Sequence, residues 1–208
     1  MSHSPLKILK DQWKLLTGIG IICAFIALLF SLLFTLNHRA DSEVLVISGS
    51  GYGVDAYTAL RSSERIGESL VNIIETGDFF AKVMTQLEKS ETIDKSRFEE
   101  LSERERRKLW SKTIDASLNY GSGMLTISTY HPNPKKAKVL NTVVLNVLIN
   151  ESSDYIGQEV DLKVVNPPLA TMFPVKPNLI VNTSVGFLVG FMGSFLILAY
   201  RDQKHSWL

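Results

Sequence analysis

The sequence predicts an α+β domain, a small sheet of about four strands covered by helices, held between two transmembrane helices. Three observations predict it. Residues 15–36 and 179–200 contain no Asp, Glu, Lys, Arg or His. Each run is about 22 residues long, and roughly 20 apolar residues cross the hydrocarbon core of a bilayer as a helix. The charge lies outside both runs, most of it in the stretch between them, which alternates short strand-like segments with segments of helical period.

Composition sets the outer limits. The chain has 208 residues, 45% hydrophobic and 21% charged, with a net charge of +1. That balance implies no strong field for nucleic acid or acidic lipid. Cys23, inside the first apolar run, is the single cysteine, so no disulfide within the chain and no cysteine metal site is expected. Lys7, Lys10 and Lys14 precede the first run, which is too long for a signal peptide and closes without a small-x-small cleavage site. The run is therefore expected to stay as an anchor. Arg201 and Lys204 follow the second run. Basic tails stay in the cytoplasm. The expected layout is a cytoplasmic tail over 1–14, a span over 15–36, an extracytoplasmic domain over 37–166, a proline-rich junction over 167–178, a span over 179–200 and a cytoplasmic tail over 201–208.

Within the domain, EVLVIS (43–48) reads as a strand that ends in the glycine loop 49–53. The loop lacks GxxxxGK[ST] and the third glycine of GxGxxG, and a turn is the favoured reading. Asp55 is placed to cap a helix carrying Ala56, Ala59, Leu60, Ile66, Leu70, Ile73 and Ile74, broken by polar Arg61, Glu64, Arg65 and Glu68. Gly77 suits a left-handed C′ position and Asp78 a new N-cap. The next helix carries Phe79, Phe80, Val83, Met84 and Leu87, and residues 90–96 form a polar loop. A charged helix follows, with Ser102 and Glu105 as a capping box. Its basic run, Arg104, Arg106, Arg107 and Lys108, is interleaved with Glu103 and Glu105. Two readings stand for it: a solvated helix face, and a contact for anionic glycan, lipid phosphate or a partner. Residues 113–120 and 124–130 alternate around Gly121 and Gly123 and predict a strand pair. Pro134 opens a helix over about 135–155, with Ala137, Leu140, Val143, Val144, Val147 and Leu148 as its apolar positions. Gly157 ends it, and EVDLKVV (159–165) is the last strand.

Pro167, Pro168, Pro174 and Pro177 then crowd the junction. They fix φ and remove donors, so this stretch is expected to be extended and stiff, neither helix nor central strand. It is either a strut that fixes how the domain stands on the membrane or a plain linker. The second apolar run carries Gly186, Gly190 and Gly193, and Gly186-x3-Gly190 lets helix backbones approach closely.

Taken together, the chain resembles the Wzz-type chain-length determinants, the polysaccharide co-polymerase family. Four parts carry the resemblance: an N-terminal span leading into EVLVIS, the helical ETGDFFAKVMTQLE, the strand pair and proline-opened helix in GSGMLTISTYHPNPKKA, and the spacing Pro168-x5-Pro174-x2-Pro177 before a glycine-containing span. Larger members insert a long membrane-distal helix where this chain has only residues 90–112. Some members fuse a cytoplasmic tyrosine kinase after the second span, and a member without it is expected here. The resemblance implies a non-enzymatic regulator of polymerisation, chain length or export of a surface polysaccharide (O-antigen of lipopolysaccharide, capsule or exopolysaccharide). It implies a ring-like homo-oligomer in the bacterial inner membrane, its copies meeting through the domain and the second spans. The implied partners are membrane lipid, a polysaccharide polymerase, lipid-linked glycan and, for some members, a separate cytoplasmic tyrosine kinase.

A two-span extracytoplasmic sensor or adaptor that signals through a partner, such as a tyrosine kinase, is the alternative class. An enzyme is the least expected. Hydrolysis needs a nucleophile with a base, paired carboxylates or a metal. Outside the apolar runs and tails the histidines are His38, at the membrane edge, and His131, before a proline. No cofactor or metal site is expected.

Overall fold

The computed structural model describes residues 10–48, 55–88 and 101–205. The glycine loop 49–53, the polar loop 90–96, residues 1–9 and residues 206–208 lie outside the described residues. The chain divides into two units: residues 1–36 with 175–208, and residues 37–174.

The first unit is a pair of apolar helices, α1 (Trp13–Leu32) and α6 (Leu179–His205). Both are long and apolar enough to cross a membrane. α1 starts two residues before the apolar run and ends four residues before its close. Composition marks an apolar run, whereas the helix must unwind early enough for the chain to enter a strand at His38. α6 continues past Tyr200 into the stretch expected to be tail. Asn178 caps it, its side-chain oxygen accepting from the Val181 amide at 3.1 Å.

The second unit is α+β. Its sheet has four strands in the order β2-β3-β1-β4, every neighbouring pair antiparallel. The strands are β1 (His38–Ser48), β2 (Ile114–Asn119), β3 (Met124–His131) and β4 (Val160–Ala170). Four helices accompany them among the described residues: α2 (Ala56–Ile74), α3 (Gly77–Glu88), α4 (Glu103–Thr113) and α5 (Pro134–Ile156). α5 crosses β4, β1 and β3, and α2 lies along β1 and β2. The inward face of β1 is Ala40, Ser42, Val44 and Val46, all buried. Opposite them α5 sets Leu140, Val144 and Leu148, and α2 sets Ile66, Leu70 and Ile74. Trp110 of α4 closes the core. It is 1% exposed, its ring meets Phe80 edge-on at 5.2 Å, and its Nε1 donates to the Ile74 carbonyl at 2.9 Å.

Several local expectations hold. Asp55 caps α2 by accepting from the Thr58 amide, Pro134 sits in the first turn of α5 behind the Asn133 cap, and Gly157 ends α5 at φ 72°. Others are corrected. Gly77 is not left-handed, and Asp78 is not the cap. Thr76 takes that place: its hydroxyl oxygen accepts from the Phe79 amide at 3.2 Å, and its carbonyl accepts the first helical bond from Phe80. β1 begins at His38, not at residue 43, because its inner face opens with Ala40 and Ser42 rather than β-branched residues. β4 runs on to Ala170 and takes in Pro167 and Pro168, which were expected in the junction. β4 is an edge strand, so half of its donors need no partner. The register with β1 slips between Asp41 and Glu43 and again between Glu43 and Val44. The two prolines fall inside that bulge, where a missing N–H costs no ladder bond.

Candidate functional site

The basic run divides on α4. Arg104, Arg107 and Lys108 are exposed, whereas Arg106 is half-buried and donates to the Leu101 carbonyl at 3.2 Å. Arg107 pairs with Glu103 at 2.9 Å across one exposed helical turn, a pair that contributes little in water. Ser102 and Glu105 close the capping box, with the Ser102 amide and hydroxyl both donating to one Glu105 oxygen. Those two bonds hold the Glu105 carboxyl below its ordinary pKa, the Ser102 hydroxyl contributing most. The four basic side chains therefore do not form one patch; three are presented to solvent and one anchors the helix start.

The prolines divide as well. Pro167 and Pro168 are strand residues, Pro174 ends the α+β unit, and Pro177 lies in the segment before α6. The β1–β4 pairing is prolonged by Thr171, whose amide donates to the Arg39 carbonyl at 2.7 Å and whose hydroxyl accepts from the Arg39 amide at 3.0 Å. The His38 ring meets the Thr171 carbonyl at 3.1 Å through Nδ1. His131 stands opposite His38 in the sheet, and its Nδ1 accepts from the Asn133 amide. Among the described residues no group of three His, Cys, Asp or Glu side chains could hold a metal ion.

The glycines of α6 meet α1 of the same chain. A Cβ on Gly186 would stand 2.5 Å from the Ala27 Cβ, and one on Gly190 would stand 2.6 Å from the Cys23 Cβ and 3.1 Å from the Ile19 carbonyl. Gly20 of α1 returns the contact: a Cβ there would stand 2.8 Å from the Phe187 ring. Asn182 donates to the Ser31 hydroxyl at 2.9 Å near the end of the seam. The matched pairs 19·190, 23·186, 27·186 and 31·182 show that the helices run antiparallel. Gly193 has nothing within 4 Å of a Cβ added there and takes no part in the seam. The Gly186 and Gly190 face, expected to join copies of the chain, is occupied within the chain.

A site that sequence reasoning missed lies between α2, β2 and the β2–β3 turn. Gly67 brings α2 close: a Cβ there would stand 2.5 Å from the Leu118 Cδ1. Glu64, read from the sequence as a polar break, is 6% exposed. It accepts from the Gly121 amide at 2.6 Å and from Arg61 at 3.0 Å. Gly121 and Gly123 have φ of 85° and 66°, which the tight turn requires. Tyr120, 63% exposed, donates to Glu68 at 2.7 Å, and that bond raises its phenol pKa. Arg61 lies over the Tyr57 ring at 5.5 Å and donates to its hydroxyl, which raises the guanidinium pKa further. Together these residues border a cavity of about 440 Å³ lined by Thr58, Arg61, Ser62, Glu64, Arg65, Glu68 and Tyr120. The only sequence signal was the tyrosine beside a glycine turn.

A second polar cluster joins α3 to α5. Lys82 pairs with Glu151 at 2.6 Å and stands over the Tyr155 ring at 4.4 Å, and the Tyr155 hydroxyl donates to Asp78. The Glu151 bond raises the Lys82 pKa, and burial leads the rise at Tyr155. Every member is satisfied within the fold, so the cluster fastens two helices.

No protein-family model matches the chain, and no curated protein matches it.

Proposed function

We propose that this chain is a two-span membrane protein whose α+β unit regulates the polymerisation, chain length or export of a surface polysaccharide, acting as a homo-oligomer and without catalysis of its own. The observation that carries the reading is where the α+β unit releases its chain ends. Ala40 and Ala170 are register partners on neighbouring antiparallel strands, so the first and last strands open at one end of the sheet. A domain of that topology suits tethering to one membrane face through both ends. α1 and α6 support the tether. Ile22, Phe25, Phe30, Ile180 and Val189 are each more than half exposed, and a solvent-exposed pair of such helices needs an apolar covering, which a bilayer supplies. The order of elements, with an N-terminal apolar helix leading into a strand and prolines ahead of the second helix, is the order on which the resemblance to the chain-length determinants rests.

On this reading both tails lie in the cytoplasm of a bacterial inner membrane and the α+β unit lies outside it. A polymerase and lipid-linked glycan are the working partners, and a separate tyrosine kinase is a further one. The seam between α1 and α6 uses the glycines within each copy, so contacts between copies fall to other surfaces. Deleting the gene and separating the surface glycan by electrophoresis tests the function. A changed length distribution or amount, restored by the intact gene, is expected. An unchanged profile contradicts the reading. In lipid nanodiscs the protein is expected as a large oligomer; a dimer would favour the sensor class instead.

A further inference from the structure

The cavity beside Tyr120 does not stand alone. A second hollow of about 440 Å³ is lined by Glu68, Val71, Asn72, Ser117, Leu118 and Tyr120. The two hollows share Glu68 and Tyr120. They adjoin at the Tyr120–Glu68 hydrogen bond and together follow α2 from Thr58 to Asn72, a run of about 21 Å at 1.5 Å per residue, which we treat as one groove. We propose that this groove binds a linear saccharide chain, with Tyr120 as the stacking platform at its middle and Arg65, Glu68 and Asn72 as its hydrogen-bonding rim.

The chemistry of the lining favours a sugar. A pyranose ring presents an apolar C–H face and a belt of hydroxyls, so its binder needs an exposed aromatic ring beside fixed donors and acceptors. Tyr120 is an exposed ring held in place by Glu68, so little side-chain freedom remains to be lost on binding. Glu64 fixes the turn that carries the ring by binding the Gly121 amide. Arg65 is exposed and forms no ion pair among the described residues, which leaves its planar fork of donors for paired hydroxyls or a sugar carboxylate. Asn72 and Ser117 add amide and hydroxyl groups at the far end, where both are exposed. An elongated, open groove of mixed polar and apolar lining with an aromatic at its centre fits a polymer better than a compact metabolite, which prefers an enclosed, mostly apolar pocket.

The proposal rests on the polysaccharide reading for the identity of its ligand, and one set of experiments separates the two. The full chain in lipid nanodiscs is titrated calorimetrically with oligosaccharides cut from the surface polysaccharide of the producing cells, with dextran oligosaccharides, and with inorganic phosphate. Binding of the native fragments is expected, with no displacement by phosphate. Tyr120→Ala is expected to weaken binding about tenfold, while Tyr120→Phe, which keeps the ring and loses the Glu68 bond, stays within about threefold. Unchanged thermal melting of both variants confirms the fold. Absence of saccharide binding, equal affinity in Tyr120→Ala, or full displacement by phosphate overturns the groove. If gene deletion alters the surface glycan while Tyr120→Ala binds like the parent, the groove falls and the regulatory reading stands. If deletion leaves the glycan unchanged while dextran fragments bind in a Tyr120-dependent way, the regulatory reading falls and the groove stands.

Discussion

The two units of this protein are built on opposite plans. In the α+β unit the large apolar side chains point inward: Trp110, Phe79, Leu70 and Ile127 are almost wholly buried. In the helix pair most of them are exposed, Leu16 being the buried exception, and the seam is made by Gly20, Cys23, Ala27, Gly186 and Gly190. Water drives the first arrangement by expelling apolar surface. Between helices in hydrocarbon that drive is lost, and close backbone approach through small residues takes its place. On the proposed two-span reading the inversion reflects two solvents, water for the α+β unit and lipid for the helix pair, and it makes their weak points different in kind.

The comparison can be broken from either side. Trp110→Ala should cost the α+β unit about 3–5 kcal/mol, because it opens a large cavity and removes the donor to Ile74. Chemical denaturation followed by near-ultraviolet circular dichroism checks it, and a loss below about 1 kcal/mol would show that the core does not depend on this ring. Gly190→Leu should act only on the helix pair, at about 1–3 kcal/mol from overpacking against Cys23 and Ile19. Spin labels at Ile22 and Val189, in a Cys23→Ser background, should move apart while the α+β unit melts as before. Gly193→Ala should leave that distance unchanged.

The smaller tests sharpen the polar side of the contrast. Asn141 of α5 is fully buried and donates to the carbonyls of Ala40 and Ile127 at 2.9 Å each. Asn141→Ala leaves both without that donor and should cost about 1–3 kcal/mol, read by the same denaturation. The smallest effect is at the start of α2. The Thr58 hydroxyl, ahead of the Thr58 amide, holds the Asp55 carboxyl below its ordinary value of 3.8. A depressed carboxyl stabilises the fold fully above the unfolded value and loses that contribution as pH falls through the folded one. Exchange of the Thr58 amide, corrected for its intrinsic rate, should therefore quicken below pH 3.8. Asp55→Asn, which caps without titrating, should remove that acid dependence; a variant as acid-sensitive as the parent would place the cause elsewhere.

Much of the fold was legible because it rests on local rules. The apolar runs, the Asp55 cap, the Ser102–Glu105 box, the two-glycine turn, Pro134 and Gly157 each announce their element by residue type. The misses arise where tertiary context outweighs the local signal. β1 starts early on Ala40 and Ser42, small residues whose burial is set by α5 above them. β4 keeps Pro167 and Pro168 because it is an edge with a bulge, and neither the edge nor the slip is written in its own residues. At Thr76 a hydroxyl took the cap that residue type alone assigns to Asp78, two residues later. The groove was the hardest to see. Its parts come from a helix and a hairpin some fifty residues apart, joined by Glu64 to Gly121 and Tyr120 to Glu68. The glycines of α6 were legible as packing residues, but which helix they pack against was not.

Topology tests the account most directly. Lys135, exposed on the first turn of α5, can be changed to cysteine in a Cys23→Ser background and challenged with a membrane-impermeant maleimide on intact spheroplasts. The account predicts prompt labelling without permeabilisation, because it puts the α+β unit on the extracytoplasmic side. Labelling only after the membrane is opened would put that unit in the cytoplasm and contradict it.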